Sequence, residues 1–166
     1  EENQNNSEKK IFNFDKIECN NGFANIFPCK KYDLLSWIPL SFFGSESAND
    51  NWGWTDYNSK REFVLQGLND GLAFLDITDP QKVIYLGKLL SSSNPSDWRD
   101  VKIYNNHAFV VSEASNHGLQ IFNLKRLLDL NEFKTFNEDY IVNDFGNAHN
   151  IAINASSGFA YILGSA

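Results

Sequence analysis

The sequence predicts an all-β protein made of repeated units of short antiparallel strands. In the clearest unit, Trp98–Leu124, apolar residues such as Val101 and Ile103 alternate with polar ones, which is typical of half-buried strands. Asn105-Asn106 and Gly118 interrupt this pattern, because Asn and Gly tolerate the positive φ that tight hairpin turns require. The strands predicted between the turns are Arg99–Tyr104, His107–Glu113 and Gly118–Asn123.

The same unit occurs 46 residues earlier, in Trp52–Ile77. In both copies a tryptophan precedes a Phe-Val pair by eleven residues, and an Asn-x-Gly turn leads into the next strand. A third, shorter copy spans Ala148–Ala166. A period of roughly 40–50 residues with several strands per copy is the signature of β-propeller blades. The alternative is a β-sandwich whose hairpins merely look alike.

These repeats divide the chain into a polar tail or linker, residues 1–10, and a partial β-propeller, residues 11–166. The predicted fold is a propeller fragment of four-stranded antiparallel blades, two of them complete and two others partial. The blades are predicted at about 11–44, 52–90, 98–144 and 147–166. A propeller needs at least four blades to close, the chain contains no Met, and it stops inside a predicted strand. We therefore expect a piece of a longer protein.

Other elements follow from local composition. Tyr32–Phe43 resembles the outer strand of a blade, in which Pro39 favours an edge position because proline cannot donate to a ladder. Lys125–Phe136 is an insertion whose leucines, beside two basic residues, predict a short helical turn. Asp79-Pro80 predicts a tight turn after a strand. The strands predicted for blade 52–90 are Trp52–Tyr57, Glu62–Leu68, Leu72–Ile77 and Val83–Lys88.

The bulk composition limits the class of partner. The net charge of −7 argues against a nucleic-acid partner, because phosphate binding requires clustered Lys and Arg, and these residues are scattered here. No apolar run approaches the length of a membrane span, so we expect no membrane span in this fragment. Hydrophobic residues make up 42% of the chain, which excludes disorder for most of it.

Cys19 and Cys29 are the two cysteines of the chain, ten residues apart. Their position in one loop-like segment favours a local disulfide, which would place the protein outside the cytosol. Two free or buried thiols are the alternative. A zinc site is disfavoured, because the spacing does not fit a zinc knuckle and there is no second cysteine pair.

A set of motifs runs in register through roughly residues 17–166. The motifs are Cys19 with Phe27-Pro28-Cys29, Asp33-Leu34-Leu35-Ser36 with Ile38-Pro39-Leu40, Asn51–Asp56, Gly67–Gly71, Asp76–Pro80, Trp98–Lys102, Val111–Ala114, His117-Gly118 and Gly146–Ile151. The set strongly resembles the choice-of-anchor B family, secreted bacterial proteins built from LVIVD-type propeller repeats. The resemblance implies an extracellular or cell-surface protein, often with a C-terminal anchoring segment, and it implies no established reaction.

In a propeller, the innermost strands line a central channel, and the loops that enter them form one face where ligands bind. The repeats place these entries at Trp52-Gly53-Trp54, Trp98-Arg99-Asp100 and Ala148-His149-Asn150. Arg99, Asp100 and His149 are thus expected to converge near the axis, as a site for a small anion, a metal or acid/base catalysis. The favoured alternative is that Arg99 and Asp100 satisfy backbone groups and each other between blades. The candidate ligand-binding residues are Trp54, Arg99, Asp100, His149 and Asn150.

A second candidate set consists of His117, Glu113 and His149, which could ligate a divalent metal if the loop Glu113–Gly118 lies on the same face. No cofactor is specified by the sequence beyond this metal. Nucleophilic catalysis has little support, because there is no Gly-x-Ser-x-Gly elbow and no phosphate-binding glycine loop.

The sequence favours a non-enzymatic binding or scaffold module that engages a protein or a glycan at the cell surface. The alternative is a hydrolase or lyase, metal-dependent or not, that uses Asp100, His149 and Arg99 in the channel. Convergence of the three side chains, with His149 bonded to a carboxylate, would favour the enzyme. Separation, with Arg99 paired into a neighbouring blade, would favour the binding module.

Overall fold

A computed structural model describes residues 8–166, which consist mainly of antiparallel β-sheet. The all-β prediction is therefore confirmed. Residues 1–7 of the predicted tail lie outside the described residues. The first strand, β1 (Lys10–Asn13), begins at the last residue of that tail, Lys10.

Two short strands and one helical turn follow β1. The hairpin strands β2 (Phe23–Ala24) and β3 (Phe27–Pro28) lie between Cys19 and Cys29, which form a disulfide. The turn α1 (Leu40–Phe43) comes next.

The first large sheet contains a four-stranded meander that matches the predicted blade 52–90. Its strands lie in the order β1-β7-β6-β5-β4, so that β1 pairs with the outer strand of the meander. The predicted strands are all present, each within a few residues of its expected ends. The bounds are β4 (Ala48–Asp56), β5 (Arg61–Leu68), β6 (Gly71–Asp76) and β7 (Lys82–Leu90).

The second sheet has four antiparallel strands in the order β12-β10-β9-β8. The predicted helical turn of the insertion is a 3-10 helix, Leu124–Leu127, and strand β11 (Lys134–Phe136) follows it. β11 leaves the second sheet and pairs in parallel with β7 of the first. The strands of the second sheet are β8 (Arg99–Tyr104), β9 (His107–Ser112), β10 (Leu119–Asn123) and β12 (Tyr140–Val142).

The last element is an antiparallel hairpin of β13 (Asn150–Asn154) and β14 (Phe159–Leu163). The predicted strand Phe159–Leu163 is therefore confirmed. The first strands of the three units lie side by side, with β4 next to β8 and β8 next to β13. No sheet formed by residues 8–166 closes on itself.

The outer strand predicted over Tyr32–Phe43 is wrong. The segment makes one isolated bridge, Leu34 to Ile17, and ends in the helical turn α1. Pro39, with φ −71°, precedes the turn, and Gly44 closes it in the left-handed conformation at φ 65°. The local sequence therefore favours a capped helical turn. The outer strand beside β7 is instead β1.

The main core lies between the two sheets. Phe74 of β6 stacks on Phe122 of β10 with ring centroids 4.7 Å apart, and Phe136 of β11 meets Phe122 edge-on at 5.1 Å. Every residue of β6 is buried, because alternate side chains enter this core and a second apolar cluster around Tyr85. Burial of each large side chain contributes roughly 1.5–3 kcal/mol, so this contact fixes how the two sheets are placed.

Candidate functional site

A cavity of about 220 Å³ opens where β4, β8 and β13 begin. It is lined by Asn49, Asp50, Trp98, Arg99, Asp100, His149 and Asn150. Four of the five predicted ligand-binding residues thus meet at one place, and the fifth, Trp54, does not.

The strand register explains which positions meet there. Trp52, Asp100 and Asn150 each stand four positions before the last residue of their first strand, at Asp56, Tyr104 and Asn154. The turn after β4 contains four residues and the turn after β8 contains two. A single offset of 46 residues therefore aligns the second strands but misaligns the first strands by two. With this offset, Asn49 and Asp50 fall outside the predicted entry positions Trp52-Gly53-Trp54, although both line the cavity.

Trp54 lies in the core rather than at the cavity. Its side chain is 6% exposed and stacks on Phe63 at 4.8 Å, and its Nε1 donates to Asn106 Oδ1 at 3.2 Å. The indole at the cavity belongs to Trp98, which is 54% exposed and is one of four tryptophans, with Trp37, Trp52 and Trp54, that the sequence offers either for stacking on sugars or for packing between blades. The sequence does show that Trp98 directly precedes a predicted strand, Arg99–Tyr104.

Arg99 is 1% exposed, and its guanidinium joins the two sheets. Nε donates to Leu68 O at 3.0 Å, Nη2 to Ser91 Oγ at 2.9 Å, and Nη1 to His117 Nε2 at 2.7 Å. Burial lowers the pKa of Arg99 to about 10, so it stays charged at neutral pH. Its charge is bound by groups between the sheets and is not directed at a ligand.

Asp100 ties β8 to β13. Its Oδ2 accepts from the Ile151 main-chain N–H at 2.8 Å and from Asn150 Nδ2 at 3.3 Å, and its Oδ1 accepts from Lys102 Nζ. Burial alone would raise the pKa of Asp100, but the neighbouring Asp50, which takes the higher pKa of the two, and hydrogen bonds from Lys102 and the Ile151 amide outweigh it and lower the pKa to about 2. Asp100 is therefore ionised at neutral pH and is unsuited to donate a proton.

Asp50 is the more accessible member of this carboxylate pair, with 40% of its side chain exposed. Burial and the neighbouring Asp100 carboxylate raise the pKa of Asp50, and Lys102 opposes that rise. Lys102 Nζ donates to Asp50 Oδ2 at 3.1 Å and lies 4.6 Å from the centre of the Trp52 ring. One ammonium thus bridges both carboxylates and contacts an indole face.

His149 stands at the rim of the cavity, where its Nδ1 and Glu113 Oε1 form a hydrogen bond. The carboxylate can only accept, so Nδ1 carries the proton and Nε2 of the neutral ring is an acceptor. The His149 ring is tilted against Trp98 with centroids 6.4 Å apart. Of the conditions that would favour an enzyme, the bond of His149 to a carboxylate is present, and the carboxylate is that of Glu113.

His117 does not join Glu113 and His149. It is fully buried, its Nε2 accepts from Arg99, and its Nδ1 donates to Gly118 O at 3.0 Å. Burial lowers the pKa of His117 to about 4, and the neighbouring Arg99 charge acts in the same direction. Both ring nitrogens are therefore occupied. Among residues 8–166, no three His, Cys, Asp or Glu side chains are grouped so that they could hold a metal ion.

None of the helices in the described part of the chain has the length and apolarity that a membrane crossing requires. Comparison of the chain with protein-family models, curated proteins and solved structures gave no match. The resemblance to the choice-of-anchor B family therefore stands on the motif residues alone.

Proposed function

We propose that this chain is part of a secreted or cell-surface β-propeller of the choice-of-anchor B type, and that it binds carbohydrate in the cavity at the start of β4, β8 and β13. The proposal combines the sequence motifs with the geometry of the cavity. It makes the protein a binding module rather than an enzyme.

The propeller part rests on the arrangement of repeated units. Two successive four-stranded antiparallel meanders are followed by a hairpin equivalent to their first two strands. The first strands of the three units lie side by side, as they do around a propeller axis.

The exposed indole of Trp98 is the observation that carries the binding part. A large aromatic surface left 54% exposed costs hydrophobic free energy unless something covers it. It stands in a cavity whose other walls are formed largely by Asn, Asp and His side chains. An apolar plane surrounded by hydrogen-bonding groups fits a sugar ring, which has one face of C–H groups and a perimeter of hydroxyls.

Two of the three residues proposed for catalysis are held in structural roles. The guanidinium of Arg99 joins the two sheets, and Asp100 holds the start of β13 through the Ile151 amide. Neither group has the freedom to change partners during a reaction without loosening the contact between units. This separation favours binding.

A hydrolase or lyase is the second candidate, and the His149–Glu113 pair is the observation that favours it. A carboxylate that orients a histidine leaves Nε2 available as a general base. In that case the carboxylate that orients His149 is that of Glu113. Loss of turnover in a His149→Gln variant that still binds the sugar would establish this candidate.

A panel of immobilised oligosaccharides tests the proposed function. We expect retention of the protein on at least one sugar class, and loss of that retention in Trp98→Ala. Trp37→Ala is the matched control, because Trp37 is similarly exposed, at 49%, but packs against Phe27 in the disulfide-bonded segment. Equal retention of Trp98→Ala and the native protein, or no retention at all, would contradict the proposal.

The proposed extracellular location is supported by the Cys19–Cys29 disulfide, since such bonds persist in oxidising compartments. Fractionation of the source cells tests it, with thiol alkylation before lysis. A cytosolic protein with two alkylated cysteines would overturn the location while leaving the binding proposal intact.

A further inference from the structure

The charges around the cavity bear on the class of sugar that it takes. Three carboxylates lie in its wall or are bonded to a lining residue: Asp50, Asp100 and Glu113. Lys102 is the ammonium that opposes them, through Asp50 and Asp100. Arg99 also belongs to the lining, but its guanidinium is bound between the sheets. The cavity therefore keeps an excess of negative charge.

Several hydrogen-bond acceptors in the cavity keep free capacity. Lys102 bonds only Oδ2 of Asp50, and two-fifths of the Asp50 side chain is exposed. In the neutral form of His149, Nδ1 donates to Glu113 and Nε2 is an acceptor. Asn150 donates one amide N–H to Asp100, which leaves its oxygen as an acceptor and its second N–H as a donor. A ligand that supplies donors, preferably charged ones, satisfies these acceptors.

The chain already contains one example of the matching chemistry. The Lys102 ammonium is held by two carboxylates and lies 4.6 Å from the centre of the Trp52 indole. A cation over an indole face is attracted by the negative face of the ring. At the cavity itself, Trp98 provides a second indole face in the same lining as Asp50. A cationic ligand in the cavity therefore has both a carboxylate, that of Asp50, and an indole face, that of Trp98, to contact.

The size of the cavity limits the ligand to a compact group. Its volume of about 220 Å³ lies below the roughly 300–1,000 Å³ of pockets that enclose drug-sized ligands. One sugar ring is compatible with this volume, and a longer oligosaccharide would have to extend into solvent.

We propose that the cavity selects a hexosamine residue with a free amino group over neutral, N-acetylated and acidic sugars. This inference rests on the proposed carbohydrate-binding function and specifies its ligand. The sugar ring covers Trp98, and its ammonium lies toward Asp50. An acidic sugar is excluded, because its carboxylate would meet Asp50 and Asp100 with no accessible guanidinium to pair with.

Calorimetric titration with four monosaccharides tests the inference: glucosamine, glucose, N-acetylglucosamine and glucuronic acid. At pH 6.5 and low salt we expect glucosamine to bind at least tenfold more tightly than glucose, and glucuronic acid to bind most weakly. Added salt should reduce the glucosamine advantage, because screening weakens exposed ionic contacts. In Asp50→Asn the advantage should fall to less than threefold, while affinity for glucose is retained.

Asp129→Asn is the matched control, since Asp129 is an exposed acid away from the cavity. If Asp50→Asn fails to fold, Glu113→Gln provides the second variant and should reduce the glucosamine advantage in the same direction. Equal binding of glucose and glucosamine would overturn the inference and leave carbohydrate binding standing. Tightest binding of glucuronic acid would also overturn it. Absence of binding to any sugar here and on the oligosaccharide panel would contradict both proposals.

Discussion

Arg99 Nη1 and His117 Nε2 lie 2.7 Å apart in the buried contact between the two sheets, where the guanidinium donates to the neutral imidazole. Arg99 stands at the start of β8, and His117 lies in the turn before β10. The remaining guanidinium bonds cross to the first sheet at Leu68 and to Ser91 just after it. The Arg99–His117 bond therefore links two parts of the second sheet, and the other bonds of the same guanidinium link that sheet to the first.

Replacement of Arg99 by Met is expected to lower the free energy of unfolding by on the order of 3 kcal/mol. The substitution keeps an apolar stem but leaves Leu68 O, Ser91 Oγ and His117 Nε2 without their buried donor, and each such loss costs roughly 1–3 kcal/mol. Urea denaturation measures the change. Arg126→Met is the control, because Arg126 pairs with Asp139 at the surface and should cost about 1 kcal/mol or less. Equal effects of the two substitutions would refute this role for Arg99.

Protonation of His117 should make the fold sensitive to mild acid. The unfolded chain binds a proton at this histidine near its ordinary pKa of 6.5, whereas burial lowers the pKa in the folded protein to about 4. Between these values the unfolded state holds more protons, so the free energy of unfolding falls as the pH is lowered, by roughly 3 kcal/mol in total. None of this stability is lost above pH 6.5, where His117 is neutral in both the folded and the unfolded state.

The measurement is the difference in unfolding free energy between the native protein and His117→Gln, taken from about pH 7.5 down to about pH 4. The glutamine side chain of this variant retains an oxygen that can accept from Arg99, but it does not titrate. The native protein should lose stability relative to this variant as the pH falls, and parallel profiles would show that the prediction is wrong. His107→Gln is the matched control, because His107 lies at a turn and its ring bonds Asn105 O through Nδ1.

The hydroxyl of Tyr85 should contribute nothing to stability. The side chain is buried in the second apolar cluster, and its oxygen has no hydrogen-bond partner among the residues that the structure describes. Tyr85→Phe removes the unsatisfied group and keeps the ring, so we expect unchanged or increased stability, by up to about 1 kcal/mol. Tyr85→Leu, which also removes the edge contacts with Phe43 and Phe133, should destabilise. A loss of more than about 1 kcal/mol in Tyr85→Phe would reveal a partner for the hydroxyl.

Much of the local structure could be predicted from the sequence, because strand alternation and turn residues act over short distances. Arg99–Tyr104 was predicted with its correct ends, and Asn105 and Asn106 do adopt positive φ, at 46° and 60°. The repeat also placed Arg99, Asp100, His149 and Asn150 around one cavity.

Properties that depend on side-chain direction could not be predicted in the same way. The repeat brings Arg99 to the cavity wall, but only packing shows that its guanidinium bonds Leu68, Ser91 and His117. The two-residue difference in turn length, which determines that Asp50 lies at the cavity and Trp54 in the core, is likewise invisible to a single repeat offset.

The parallel pairing of β11 with β7 was also unpredicted, and it depends on a glycine. A Cβ on Gly87 would lie 2.0 Å from Lys134 O and 2.7 Å from Phe136 Cε2. The backbone of β11 can approach β7 only because this side chain is absent. The Phe136 ring, in contact with Phe74 and Phe122, depends on the same approach.

Gly87→Ala should therefore displace β11 and expose Phe136. We expect a loss of more than about 2 kcal/mol in unfolding free energy, because the clash is with backbone and the buried aromatic contact opens. Hydrogen exchange should accelerate in β11 while β8–β9 stay protected. Gly53→Ala is the matched control, since its Cβ would meet only Phe63 O at 4.0 Å. If both variants unfold alike and β11 keeps its protection in Gly87→Ala, β11 reaches β7 without needing the glycine.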